Sequence, residues 1–225
     1  MKRLEDHENF EMAFLSLLAS NRLLDRIVFG GGTMLRLCHE LPRYSLDLDF
    51  WFYRNTDFSD FFTRLRDAAS ASYEITDAEE KHYSLLLEIR RARGTTKLKA
   101  EIRKTLAPRG SSEQNIAYSP HFPSQVLVRG FTLRQMFKNK VAALTDRGEV
   151  RDAFDLEFLV RKGVEPDLND EEKKTVTRRL GSFKKRDFDV KLGSIILPEL
   201  REYYRVNRFR FLEEKLAFEE WQTEK

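Results

Sequence analysis

One cysteine and four histidines stand in 225 residues, and each shortage excludes a class of chemistry. Cys38 alone cannot close an internal disulfide, and His7, His39, His82 and His121 are scattered without the paired spacing of a zinc site, so neither a disulfide framework nor structural zinc is expected. No apolar run approaches the ~20 residues that span a bilayer. The start, MKRLEDHE, mixes charges and is unlike a signal peptide, so a cytoplasmic protein with no membrane partner is expected. A large excess of one charge is also missing: 40 Lys and Arg against 37 Asp and Glu leave +3, and any nucleic-acid surface has to be local. What is present is the composition of a globule, with 41% hydrophobic residues and 18 phenylalanines that require burial. The length suits one large domain or two small ones.

Helical spacing runs through Phe10, Phe14, Leu17, Leu18 and Leu24, and RIVFGGGT reads as a short strand ending in a glycine turn. TMLRLCHEL follows as a helix capped by Thr33 and stopped near Pro42, and SLDLDFWF alternates as a strand does. Residues 57–69 return to helical periodicity. HYSLLLEIR puts Tyr83, Leu85, Leu87 and Ile89 on one face, KLKAEIRK does the same with Leu98, Ala100 and Ile102, and a turn at Arg93 and Gly94 joins them as a hairpin. From Ala107 to Pro123, Pro, Gly, Ser and Asn concentrate as in a long loop between domains. Beyond it LRQMFKNKVAALTDR, RDAFDLEFLVRKG, NDEEKKTVTRRLGSF and Ile195 to Glu220 read as helices. The expected organisation is an α/β core over 1–106, a crossing over 107–124 and a mainly helical region over 125–225. That is an α+β arrangement rather than a doubly wound array.

The chemistry concentrates in FGGGTMLRLCHELPRYSLDLDF. Glycines at a strand-to-helix turn let backbone N–H groups approach a phosphate at the positive end of a helix. Asp47 and Asp49, two apart on a strand, point to one face roughly 7 Å apart along the chain and can share a metal. Magnesium suits them, being a hard ion held by one or two carboxylates plus substrate phosphates. Glu101, on the face opposite Leu98, Ala100 and Ile102, is the candidate third acid, with Glu88 as an alternative; a cross-strand ion pair explains Glu101 equally well. Lys140 and Arg147 lie two helical turns apart on one face, where they can bind a triphosphate. They can equally partner Asp152 and Asp155, since Asp155 borders an apolar stripe and needs a cation, with Arg151 a further choice. The tail REYYRVNRFRFLEEKLAFEEW interleaves Tyr203, Tyr204, Phe209 and Phe211 with arginines. It reads either as a base-stacking surface or, more simply, as an amphipathic helix with aromatics in the core. FKKRDF reads as a solvated turn or an RNA contact.

With GGTMLRL, RYSLDLDF and K-x6-R-x3-RD-x2-DL in this order, the sequence resembles the AbiEii/AbiGii toxin family of nucleotidyltransferases over roughly Gly30 to Leu159. The resemblance implies a polymerase-beta-like nucleotidyltransferase core, a small mixed sheet with flanking helices, followed by a helical C-terminal region. It implies that Gly31, Gly32, Thr33 and Ser45 form the nucleotide-phosphate turn and that Asp47 and Asp49 are the metal pair. Glu101 matches the third acidic position, Lys140 and Arg147 match the helix that holds the nucleotide, and Arg43, Arg151, Asp152 and Asp155 support them. Two Mg2+ ions, a nucleoside triphosphate substrate, an RNA acceptor with transfer RNA foremost, and a separately encoded antitoxin follow from the resemblance alone. A protein or small-molecule acceptor, and a non-catalytic nucleotide- or partner-binding module, are the alternatives.

Overall fold

The computed structural model describes residues 1–92 and 94–223, with side chains of the last helix described as far as Ala217. The chain divides into two units, Met1–Thr132 and Leu133–Lys225.

The first unit runs α1 (Lys2–Ser20), β1 (Ile27–Gly30), α2 (Gly31–His39), β2 (Asp47–Phe52), α3 (Phe58–Ser70), β3 (Glu74–Glu80), β4 (Ser84–Arg90), β5 (Lys97–Leu106), β6 (Ser112–Ala117) and β7 (Val126–Phe131). Its seven strands form one mixed sheet in the order β3-β4-β5-β2-β1-β7-β6, with β2 parallel to β5, β1 parallel to β7 and the other pairs antiparallel. Strand alternation decides which face is core. Leu48, Phe50 and Phe52 of β2, Leu85, Leu87 and Ile89 of β4, and Leu98, Ala100 and Ile102 of β5 are buried, so every second residue of each strand points the other way. Phe29 stacks on Phe50 at 5.1 Å and Phe61 meets Phe52 edge-on at 5.1 Å, joining β1, β2 and α3 through aromatic contacts.

Several expectations need correction. Tyr83 is 79% exposed, because the ladder starts at Ser84 and leaves it outside the strand. Thr33 is not a cap: Gly30 occupies that position, and the buried Thr33 hydroxyl donates to the Asp47 carbonyl at 2.6 Å. The segment 107–124 contains β6, and β7 lies where helix was expected, so the sheet extends to Phe131 and the division falls after Thr132. β3 was not anticipated; EITDAEE is an edge strand with acidic groups on both faces, the composition that discourages further strand pairing. The β4–β5 hairpin forms, but Arg93 of its turn lies outside the described residues.

The second unit contains α4 (Leu133–Arg147), α5 (Val150–Arg161), α6 (Asp170–Ser182), a π-helical turn over Asp187–Leu192, α7 (Arg201–Asn207) and α8 (Arg210–Thr223). The tail is therefore two helices, separated where Arg208 adopts a φ of 51°. Two of its four named aromatics are core: Tyr204 and Phe209 are buried and Tyr204 packs on Phe154 at 4.9 Å, whereas Phe211 is half-buried and Tyr203 is exposed. Glu157, fully buried, accepts from Arg161, the Tyr204 hydroxyl and the Leu212 amide, which offsets the burial that raises its pKa. Among the described residues no helix is long and apolar enough to cross a membrane.

One polar cluster lies within the first unit's core. Glu8 of α1 accepts from Arg36 Nε at 2.7 Å and from Ser119 Oγ at 2.6 Å, tying α1 to α2 and to the segment after β6. One turn on, Glu11 is 1% exposed with its Oε1 lacking a hydrogen-bond partner. Burial first, then the charges of Glu8 and Asp47, raises its pKa well above the usual 4.5, while Arg36 and Thr33 pull the other way. The native state thus holds this proton more tightly than the unfolded chain. The stability linked to it is complete below pH 4.5 and is lost as pH rises through the folded value. Glu11→Gln mimics the protonated acid at every pH, so it is expected to match the parent's thermal midpoint near pH 4.5 and exceed it at pH 8. The gap is about 1.4 kcal/mol for each unit by which the folded pKa is raised. Thermal melts of both proteins across that range check this, and parallel curves would refute it.

Candidate active site

The site grows from the junction of β1, α2 and β2. Gly30 pairs with Asp49 across β1–β2, and Asp49 in turn pairs with Glu101 across β2–β5, so the three stand in one row of the sheet. Gly31 has a φ of 72°, and a Cβ there would collide with the Asp49 carboxylate. Only glycine allows that approach, on grounds of both backbone angle and space. A Cβ at Gly32 would meet the buried Arg43 guanidinium, and also the Ser45 hydroxyl at 2.9 Å. The N-cap of α2 is Gly30, which has no side chain, and Asp49, Arg43 and Ser45 crowd the end of a helix whose first amides carry positive partial charge. Arg43 is held in turn, donating to the Tyr44 carbonyl at 2.9 Å.

Asp47 is opposite Lys99 in the β2–β5 register and shares the half-buried face of β2 with Asp49. Glu101 lies on the same face, with Lys99 Nζ 3.4 Å from its carboxylate. Glu88 is one row away, opposite Lys99 rather than Glu101, and is engaged by Lys97 at 2.6 Å and Thr76 at 2.7 Å. Those hydrogen bonds, Lys97's first, hold its carboxyl below the usual range. The register therefore favours Glu101 over Glu88 as the acid beside Asp49. Among the described residues no three acidic, histidine or cysteine groups converge as a complete metal cage. The donor set nevertheless fits a hard ion: two carboxylates from one strand face, one of them pressed against Gly31 at the start of α2, are the partial protein shell that magnesium accepts.

The basic helix residues belong to the second unit. Lys140 Nζ is 2.6 Å from Asp155 and 3.6 Å from Asp152, while Arg147 grips Asp152 through Nε and Nη2 at 2.7 and 2.6 Å. Both aspartates are 0% exposed and Lys140 is 7% exposed. This is the buried network foreseen as one reading of these residues, and it joins α4 to α5 within the helical unit. Arg151 is not part of it, pairing instead with Glu149 at 2.6 Å. Arg147 remains 42% exposed.

Sequence reasoning missed two features. The Glu8–Arg36–Ser119 cluster has no local signal, because its members come from distant segments. The aromatic pair that follows the carboxylates, Trp51 on β2 and Tyr53 just past its end, with arginines over both rings, lies in DLDFWFY, whose alternation signals only the strand.

Residues 14–224 match the family described as nucleotidyl transferase AbiEii toxin, type IV TA system. Two solved structures share the fold. The crystal structure of JHP933 from Helicobacter pylori is 22% identical with a TM-score of 0.57, covering 100% of this chain and 97% of that one. A candidate nucleotidyltransferase from H. pylori is also 22% identical with a TM-score of 0.57, covering 96% and 97%. No curated protein matches the chain. A mixed sheet flanked by helices, a glycine-cradled carboxylate at a helix N-terminus and a match over nearly the whole length lead to one assignment: the chain belongs to the AbiEii nucleotidyltransferase toxin family of type IV toxin–antitoxin systems.

Proposed function

We propose that this nucleotidyltransferase moves a nucleoside monophosphate from a triphosphate to a hydroxyl of RNA, with the 3′ end of transfer RNA the foremost acceptor, in a magnesium-dependent reaction in the cytoplasm. The observation that carries the proposal is the row Gly30–Asp49–Glu101 with Gly31 pressed against Asp49, an anionic pair beside a glycine turn at a helix N-terminus. Asp47, Asp49 and Glu101 would hold magnesium, two ions being the natural number for two strand carboxylates and a neighbouring third. Bound there, the metal supplies positive charge against the triphosphate and the departing pyrophosphate. Gly31, Gly32 and Thr33 would present backbone N–H donors and Ser45 its hydroxyl to the phosphates, with the Thr33 hydroxyl tying the turn to β2 through the Asp47 carbonyl and Arg43 packed against Gly32. The acceptor oxygen bonds to the α-phosphorus as the bond to the pyrophosphate oxygen breaks, and Glu101 takes the hydroxyl proton. In the helical unit Lys140 and Arg147 would be the nucleotide-binding cations, oriented by Asp155 and Asp152. The family implies an antitoxin as the protein partner.

The test is incubation of the protein with total RNA, Mg2+ and each α-labelled triphosphate in turn, with Asp47→Asn as control. Label on a tRNA-sized band, absent with the variant, is the expected result. Label on protein instead, or none on any acceptor, would overturn the RNA assignment.

A further inference from the structure

We propose that the face of β2 beyond the carboxylates is the track on which the acceptor RNA strand lies, with Tyr53, Arg54, Arg109 and Arg129 as its principal contacts. This rests on the reading of RNA as acceptor and names the surface that would bind it. Side chains two apart on a strand share a face, so Asp47, Asp49 and Trp51 form one line at intervals of roughly 7 Å, leading away from the α2 N-terminus, and Tyr53 follows just past the end of β2. Arg103 of β5 lies over the Trp51 ring at 5.2 Å. At the end of the line Arg129 of β7 lies over Tyr53 at 4.2 Å, and Arg54 is 5.9 Å from the same ring. Tyr53 is 42% exposed. Beside it a cleft of about 550 Å³ is lined by Tyr53, Arg54, Ala107, Pro108, Arg109 and Gly110, a wall with two guanidinium groups and no carboxylate.

What sets this patch apart is that its arginines lie over aromatic rings or beside them, whereas Arg36, Arg90, Arg134, Arg161 and Arg205 are held by Glu8, Glu74, Asp167, Glu157 and Glu202. Among the described residues Arg54, Arg103, Arg109 and Arg129 form no ion pair, and the net charge of only +3 shows that such a group is a local concentration rather than an overall excess. Guanidinium groups stacked on aromatic rings present a flat cationic face to a base and N–H donors to a phosphate, and single-stranded RNA is read through such planes. Leu127 and Ile116, exposed on neighbouring strands, are also suited to a protein partner, but uncompensated arginines on rings favour a polyanion with bases.

The test is binding of full-length protein to deacylated tRNA, without nucleotide, as a function of salt. The proteins compared are the parent, Arg109→Gln/Arg129→Gln, Tyr53→Ala, and Arg134→Gln/Arg205→Gln as a surface control. The Arg109/Arg129 variant is expected to lose at least about tenfold in affinity at 100 mM salt and to lower the slope of log K against log salt by about 1.4, or ~0.7 for each phosphate contact removed. Tyr53→Ala is expected to lose affinity with little change in slope, since stacking does not release counterions. Stabilisation by triphosphate with Mg2+ should be the same in all, showing that the fold and the nucleotide site are intact. Unchanged affinity and slope, or an equal loss in the control, would overturn the track. So would variants that keep tRNA affinity but lose an antitoxin partner, which would make the patch a protein-docking surface. Failure of the RNA reading itself is separable: the parent would then label no RNA, whatever the variants do.

Discussion

Asp49→Asn is expected to lower kcat/KM for nucleotidyl transfer at least about a thousandfold while leaving the thermal midpoint nearly unchanged. Losing one preorganised electrostatic partner of a developing charge costs about 10²–10³ in rate. Asp49 is in addition proposed as a metal ligand, so its loss weakens the charge on triphosphate and leaving group together. The small structural effect follows from geometry. Asparagine keeps the volume that fits against Gly31 and the pairing with Gly30 and Glu101, and the attraction of a carboxylate for the α2 N-terminus that it gives up is about 0.3–1 kcal/mol. Single-turnover rates at saturating Mg2+, set beside a melting curve, check both halves. Glu101→Gln should follow Asp49→Asn in rate, whereas Glu88→Gln should behave as the parent, because Glu88 is already held by Lys97 and Thr76 one row away. Near-normal transfer by Asp49→Asn would remove the metal role from β2.

The outcome turns on a row of residues only half legible in the sequence. Local signals carried well: the alternation of LDLDF marks β2 and puts Leu48 and Phe50 inward, and the glycines before TMLRL mark the strand-to-helix turn. Long-range register did not carry. That Gly30, Asp49 and Glu101 stand opposite one another depends on the antiparallel β1–β2 and parallel β2–β5 pairings, which periodicity in one strand cannot specify. Edge strands were missed for a related reason. EITDAEE and SEQNIA bury little, so they lack the apolar alternation by which strands are recognised, and the latter sits in a segment whose Pro, Gly and Ser content reads as loop. Thr33 shows a third limit. A threonine at a helix start reads as a cap, yet tertiary packing gives its hydroxyl a better acceptor in the Asp47 carbonyl. Nor did helical spacing after Ile195 reveal that the chain breaks at Arg208, since the aromatic pattern continues across the break.

Asp155→Ala is expected to be the most destabilising single change in the helical unit, at about 3–5 kcal/mol, because it leaves the Lys140 ammonium buried without its 2.6 Å partner. Asp152, 3.6 Å from Lys140 and already gripped twice by Arg147, cannot replace it. For a chain of this size 1 kcal/mol moves the midpoint by about 2–4 °C, so a fall on the order of 10 °C is expected in a thermal melt. Stability and nucleotide binding come apart in the double variant Lys140→Met/Asp155→Leu, which replaces the pair by apolar groups of similar volume. Exchanging a buried ion pair in this way is often neutral or stabilising, so the midpoint should return to within about 1 kcal/mol of the parent. If Lys140 serves only to hold α4 against α5, that variant should also bind triphosphate normally. If Lys140 contacts the nucleotide, the fold recovers and the affinity does not, because a methionine offers no charge to a phosphate. The second result is the one the assignment of Lys140 requires; recovery of both would confine the residue to a structural role and leave Arg147, with 42% of its side chain exposed, to meet the nucleotide in the helical unit.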